Sequence, residues 1–377
     1  MRKCKILTVV GTRPNFIKVT QFNRCLNRPE WGLEHKIVHT GQHYDDKMSR
    51  IFFQQFELEP DFWLNIPSVS VNSQTAHIMM GLEKVIKESF QADFMLVVGD
   101  VNSTLAAALS AYKLGIPFAH VESGLRSSDR TMPEEINRIL TDEIADYFFV
   151  TEQSGLDHLA ADGKNDDQVF FVGNTMIDTL VAFEKQIQAS DVLEKYQIQS
   201  GEFVLMTMHR PATVDHQAGL EDLLAVIDSI TEKNDLVFPI HPRTMSRFEK
   251  FGLADKLKKT KRLILAEPLD YFSFQKLIAD CKYVITDSGG IQEETTFRQR
   301  PCLTLRPNTE RPITTTLGTN TLVPFDLEVL QPLIQQIEAG TYKKGEIPPY
   351  WDGKASERIA EVIYQQIVSR HDLSYSG

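Results

Sequence analysis

FMLVVGDVNSTLAAALSAYKLGIPFAHVE, residues 94–122, sets two short apolar runs on either side of a longer segment that opens at Gly99-Asp100. A strand, a helix and a second parallel strand fit this pattern, because parallel neighbours need a crossover of a dozen or more residues. The same alternation runs outward from it. KILTVV and HKIVHT lie upstream, and YFFVTE and VFFVGN downstream; a second series, FVLMTMHR, LVFPIHP, RLILAEP, KYVITDS and PCLTLRP, follows residue 200. Each series predicts a parallel sheet covered by helices. At roughly 150 residues per domain, a chain of 377 residues has the length for two domains. The expected fold class is therefore α/β, with two Rossmann-like doubly wound domains facing across a cleft. The expected boundaries are 1–173 for the N-terminal domain, 174–353 for the C-terminal domain, and 354–370 for a terminal helix packing back towards the N-terminal domain.

Composition narrows the function classes. Hydrophobic residues make up 42% and charged residues 24% of the chain, which are ordinary globular values. A formal net charge of -11 opposes general nucleic-acid binding, which needs a basic surface to displace counterions from phosphates. An anionic ligand must then meet positive charge locally. Cys4, Cys25, Cys281 and Cys302 show no CxxC spacing, so neither a zinc site nor a disulfide framework is expected and a reducing cytoplasm fits. The apolar run Ile6–Val10 is too short for a signal-peptide core, and no stretch approaches the roughly 20 residues of a membrane span.

In open parallel sheets ligands bind beyond the carboxyl ends of the strands. Here those ends carry Gly11 to Arg13, Asp100, Glu122, His209, His241, and Asp287 to Gly290. TDSGGIQEE, residues 286–294, follows a strand and begins a helix. Its glycines allow close backbone approach and its free N–H groups suit an anion such as phosphate. Glu294, about one turn in, could accept hydrogen bonds from a ribose diol. A tight turn with acidic residues early in a helix fits the same letters. GTRPNFIK, residues 11–18, lacks the G-x-G-x-x-G fingerprint of a dinucleotide site, which argues against NAD. Arg13 and Lys18 could face a diphosphate or form surface pairs.

Asp100, Asn102 or Ser103 could cap the helix that follows, whereas Glu122 directly follows a strand with no helix starting there. Thr131, Pro133 and Glu134 have the spacing of a capping box. His209 and His241 end strands, where histidine is commonly structural. No HxH or HExxH spacing supports a metal.

GTRPNFIK, HTGQHYD, VVGDVNSTLAAALSAYKLGIPFAHVESGLRS, MPEEINRILTD, VGNTMID, DSGGIQEE and TERP, spread in unbroken order over about residues 5–325, together resemble the non-hydrolysing UDP-N-acetylglucosamine 2-epimerases. The resemblance implies the GT-B type of two-domain fold, a homodimer, and interconversion of UDP-GlcNAc and UDP-ManNAc for surface polysaccharides, with no metal or nicotinamide. It implies elimination and re-addition of UDP through 2-acetamidoglucal. It further implies proton transfer by Asp100, Glu122 and Glu134, and a role for His209 in UDP departure. Arg13, Lys18, His241, Ser288, Gly289, Gly290, Glu294 and Arg311 match residues that hold UDP, with Phe274 placed to pack on uracil. The segment Gln42-His43-Tyr44-Asp45, and the lack of arginine in NIPSVSVNSQTAHIM, depart from relatives that bind a second UDP-GlcNAc as activator. A GT-B glycosyltransferase and an epimerase of a related UDP-2-acetamido sugar are the alternatives.

Overall fold

The computed structural model describes residues 3–41, 53–67 and 69–368. The chain divides into two units. One holds the described residues up to Ala182 and from Pro349 onward, and the other is Phe183–Pro348.

Among the described residues the first unit contains seven parallel strands: β1 (Cys4–Val10), β2 (Leu33–His39), β3 (Phe62–Trp63), β4 (Phe94–Val98), β5 (Phe118–Val121), β6 (Tyr147–Val150) and β7 (Val169–Phe171). Their spatial order is β3-β2-β1-β4-β5-β6-β7. The second unit contains β8 (Phe203–Thr207), β9 (Asp235–Pro239), β10 (Leu263–Ala266), β11 (Val284–Thr286), β12 (Cys302–Leu305) and β13 (Asn320–Val323), in the order β10-β9-β8-β11-β12-β13. Every pairing is parallel. Both are doubly wound sheets, and each reverses its strand order once, between β1 and β4 and between β8 and β11. At such a reversal the flanking helices diverge to opposite faces and open a crevice for ligand.

The opening stretch of sequence folds as its letters suggest. All five residues of β4 are buried, as a strand covered on both faces requires. The helix Asn102–Leu114 returns the chain to β5, placing Ala106, Ala107, Ala108 and Ala111 in the core. These small side chains let the helix lie close to β1 and β4. Gly115 ends it at φ 68°, a left-handed value natural to glycine. Leu7, Val9, Met95, Val97 and Phe118 fill the same core from the sheet.

The division between units falls after Ala182 and before Pro349, whereas the sequence places it at 173/174 and 353/354. The helix Thr175–Ala182 stays with the first unit because its polar side chains bond there. Thr179 Oγ1 donates to Ile17 O at 2.5 Å, and the Asp178 carboxylate accepts the backbone N–H groups of Ala355 (3.0 Å) and Ser356 (2.5 Å). The latter two bonds start the terminal helix Ala355–Ile363. Trp351, fully buried, donates from Nε1 to Thr151 O at 3.0 Å and anchors the returning chain.

Candidate active site

The N-terminal unit gathers its functional side chains at the β1/β4/β5 end. Lys18 follows the short helix Arg13–Ile17 after β1, and its Nζ lies 2.5 Å from Glu122 Oε2; both side chains are buried. Glu122 holds φ +68°, a left-handed backbone rarely adopted by a non-glycine residue. Such strain is retained where surrounding structure enforces it, commonly at functional sites. Here Glu122 N donates to Phe149 O at 3.0 Å, and Gly99 (φ +68°) leaves room beside the pair. A methyl group on Gly99 would stand 3.0 Å from Asn15 Nδ2 and 3.2 Å from Lys18 Nζ. Glycine is required there by conformation and by space.

Asp100, at the end of β4, does not cap its helix: the N-cap is Val101, without a side-chain bond. Asp100 Oδ2 instead meets Arg138 Nη1 at 2.6 Å, and the carboxylate is one-quarter exposed. Arg138 is buried and also grips Glu135 Oε2 at 2.7 Å. Glu135 then accepts the N–H groups of Ser127 (2.9 Å) and Ser128 (3.0 Å). Although burial acts in the opposite direction, these bonds and Arg138 hold the Glu135 carboxyl below the usual carboxylate range. Glu135 thus fixes the loop after β5, while its neighbour Glu134 is exposed in the first turn of the helix Pro133–Ile144.

The capping box expected from Thr131 and Glu134 is absent. Met132 is the N-cap, and Thr131 Oγ1 bonds Asp129 Oδ1 at 2.6 Å instead. Pro133 has no N–H to be capped, and the nearby carboxylate of Asp129 claims the hydroxyl.

The C-terminal unit assembles a second group at the β8/β11 reversal. His209 Nδ1 lies 3.0 Å from Asp287 Oδ1, with half of the histidine side chain exposed and the aspartate buried. Asp287 Oδ2 accepts the backbone N–H groups of His209 (2.9 Å) and Arg210 (2.7 Å). Burial would raise the Asp287 pKa, but the His209 side chain and these N–H groups bring it below the usual carboxylate range. An ionised Asp287 keeps a proton on Nδ1 of His209 and leaves Nε2 for a ligand. The His241 ring lies 6.4 Å from that of His209 and caps the helix Pro242–Lys250, Nδ1 accepting Arg243 N at 3.2 Å. Desolvation, with His209 and Arg243 nearby, lowers its pKa, so His241 is neutral with its proton on Nε2.

The helix Gly289–Phe297 starts at Ser288, an N-cap without a side-chain bond, so its first N–H groups form an anion site. A methyl on Gly289 would come 2.6 Å from Glu310 Oε1 and 3.1 Å from Arg311 Nη1. Arg311 pairs with Glu310 (2.5 Å) and Glu293 (2.7 Å), and Arg306 reaches Glu310 at 3.0 Å. This buried chain of charges braces the Ser288-Gly289-Gly290 turn from beneath. Glu294 is buried one turn into the helix, and Phe274 is half-buried on the helix Tyr271–Asp280.

The structure therefore brings Lys18, Asp100 and Glu122 together in one unit, and His209, His241, Ser288–Gly290, Glu294 and Arg311 to the strand ends of the other. Glu134 stands on the helix beside the first group. The backbone of Arg13 begins its helix, but its side chain lies outside the described part, as do Gln42, His43, Tyr44 and Asp45. Sequence reasoning did not assign Asp287, Glu135 or Arg138 a role. Glu135 and Arg138 are recognisable only once the buried face of their helix is known, whereas Asp287 is marked in the sequence by its place at a strand end. Among the described residues no group of three His, Cys, Asp or Glu side chains is placed to hold a metal.

The family model described as UDP-N-acetylglucosamine 2-epimerase matches residues 25–364. The UDP-N-acetylglucosamine 2-epimerase of Methanocaldococcus jannaschii is 38% identical over 366 residues, covering 95% of this chain and 98% of that protein. Its crystal structure in complex with UDP-GlcNAc and UDP superposes with a TM-score of 0.86 over 96% of this chain and 99% of that chain. The UDP-2,3-diacetamido-2,3-dideoxy-D-glucuronate 2-epimerase of Pseudomonas aeruginosa is 36% identical over 364 residues, covering 95% of this chain and 99% of that protein.

Proposed function

Because this chain belongs to the UDP-N-acetylglucosamine 2-epimerase family, we propose that its two groups of strand-end residues share the work of inverting C2 of a UDP-2-acetamido sugar. The reaction is the reversible interconversion of UDP-GlcNAc and UDP-ManNAc. The observation that carries the division of labour is the pair Asp100 and Glu122, carboxylates on adjacent strand ends, each with its own buried cation.

The proton on C2 is not α to a carbonyl, so its removal alone would leave an unstabilised carbanion. A carboxylate takes that proton while the C1–O bond to the β-phosphate breaks. The C2–H electron pair becomes the C1=C2 double bond and UDP leaves with the C1–O pair. 2-Acetamidoglucal results. UDP then returns to C1 while a proton arrives at C2 from the opposite face, which inverts the centre. Two faces call for two acid–base groups, and Asp100 and Glu122 supply them, with Glu134 as a third candidate. Lys18, 2.5 Å from Glu122 Oε2, fixes the position of that carboxylate.

In the C-terminal unit the Ser288-Gly289-Gly290 turn receives the diphosphate at a helix N-terminus, while Glu294 takes the ribose hydroxyls and Phe274 the uracil face. His241 and Arg311 complete that site, Arg311 chiefly by bracing the turn; Arg13, in the other unit, is a further UDP-binding candidate by the family resemblance. His209 Nε2 meets the leaving oxygen, and Asp287 stabilises the imidazolium through Nδ1. Such fixed donors at the site of developing charge act without a metal ion.

Purified protein given UDP-GlcNAc without an acceptor should form UDP-ManNAc, read by proton NMR. A glycosyltransferase would leave the substrate unchanged until an acceptor is added. The 36% identity to the Pseudomonas aeruginosa enzyme supports a second reading, in which the ring carries a 3-acetamido and a C6 carboxylate group. Faster turnover of that sugar nucleotide would select it.

We also assign a homodimer, the state that the family resemblance implies. Sedimentation should give twice 42.9 kDa, and a species of 42.9 kDa would refute it. A cytoplasmic setting is supported by the buried thiols of Cys25, Cys281 and Cys302, and a part in surface-polysaccharide synthesis by the sugar formed. No helix of the described residues is long and apolar enough to cross a membrane.

A further inference from the structure

We infer that His120 donates from both ring nitrogens and acts as a positioning residue that ties the Asp100 loop to the Glu122 loop. His120, on β5, is fully buried. Its Nδ1 lies 2.6 Å from Asp142 Oδ1 and its Nε2 lies 2.8 Å from Gly99 O. A backbone carbonyl can only accept, and an ionised carboxylate can only accept. Both ring nitrogens must therefore carry hydrogen.

The other bonds to Asp142 fix its side of the pair. Asp142 Oδ2 accepts Gly124 N at 3.1 Å and Arg126 Nη1 at 2.6 Å, two donors that favour the ionised carboxylate. Burial alone would push this carboxyl up, but His120 and Arg126 hold it below the usual carboxylate range. A neutral imidazole would aim a lone pair at one of these two oxygens, and in a dry interior that opposition is costly.

The charged groups around the pair come from every neighbouring element. Asp142 lies on the helix Pro133–Ile144, and Arg126 on the loop after β5. Asp162, at the end of the helix Gln153–Ala161, takes the other arm of Arg126 at 3.0 Å. His158, on that helix, places Nδ1 2.8 Å from Gly124 O. Across Gly99 stand Lys18 and Glu122. Asp142 faces the cation His120 at one oxygen and the cation Arg126 at the other.

The consequence is positional. Gly99 N donates to Val121 O at 3.0 Å and Gly99 O accepts from His120, so this unit of backbone before Asp100 is held at both the N–H and the C=O of Gly99. Through Asp142 the same unit reaches Gly124 N, two residues after Glu122. One buried ion pair therefore spaces the two carboxylates. Removing the imidazolium proton releases Gly99 O and shifts Asp100 relative to Glu122.

The catalytic part of this inference rests on the epimerase reading; the protonation does not. Wild-type protein labelled with ¹⁵N-histidine should show one ring with protons on both nitrogens. That signal should vanish in His120→Gln, or in Asp142→Asn if the first variant does not fold. A single-tautomer spectrum for every ring would overturn the inference. Folded His120→Gln should lose about 10- to 100-fold in kcat with KM little changed, as displacement by about an ångström does. Unchanged kcat would overturn the positioning role. Wild-type protein that fails to convert UDP-GlcNAc while retaining the doubly protonated ring would instead overturn the epimerase reading.

Discussion

Glu122→Gln should lower kcat for UDP-GlcNAc by about 10² to 10⁴, the usual range for loss of one acid–base group. Glutamine keeps the size and one acceptor oxygen of the native side chain but cannot take a proton. UDP affinity should change little, because the residues assigned to UDP lie mainly in the C-terminal unit. Stability is another matter. Lys18 and Glu122 are a buried pair at 2.5 Å, and stranding a buried charge costs up to about 3–5 kcal/mol. Thermal denaturation should therefore show a lowered Tm. The double variant Glu122→Gln/Lys18→Met removes the stranded charge and should recover part of the Tm without recovering turnover. Near-normal kcat in the single variant would remove Glu122 from the mechanism. Recovery of kcat along with Tm would make its role purely structural.

Asp287→Asn should lower kcat by about 10²-fold. Asp287 Oδ2 accepts the N–H groups of His209 and Arg210, so the asparagine oxygen is drawn to that side and its NH₂ turns towards His209 Nδ1. The ring then takes the other tautomer and loses the carboxylate that stabilises its charged form. His209→Asn should be about as slow, and the double variant no slower than the worse single, since the two act as one unit. KM should hold. Multiplying losses in the double variant would show that Asp287 and His209 act independently.

The strands were legible because parallel strands covered on both faces read as unbroken apolar runs, as FMLVV at 94–98 and the fully buried FAHV at 118–121 show. Their ends were legible too, since Asp100, Glu122, His209 and Asp287 interrupt apolar runs at one edge of each sheet. The helix Pro133–Ile144 was not. Its sequence would bury Ile136, Ile139 and Leu140, yet the buried residues are Glu135, Asn137, Arg138, Thr141 and Asp142, while Leu140 is exposed. A helix turned with its polar stripe inward cannot be recognised from apolar periodicity. It exists because Asp100, Ser127, Ser128, His120 and Arg126 offer that stripe a partner for each charge. For the same reason Asp100 reads locally as a cap but bonds to Arg138, thirty-eight residues away. Local propensity yields here to a network assembled from separate strand ends. The division between units was read one helix early because the bonds of Asp178 and Thr179 reach segments remote in sequence.

The account depends on loss of the C2 hydrogen being coupled to departure of UDP from C1, with carboxylates on both faces of the ring. Turnover of UDP-GlcNAc in D₂O, followed by proton NMR of the C2 position, tests this directly. The account predicts UDP-ManNAc in which the C2 hydrogen has been replaced by deuterium, at a rate lowered about 10²- to 10⁴-fold in Glu122→Gln. UDP-ManNAc formed with its C2 hydrogen retained would contradict it.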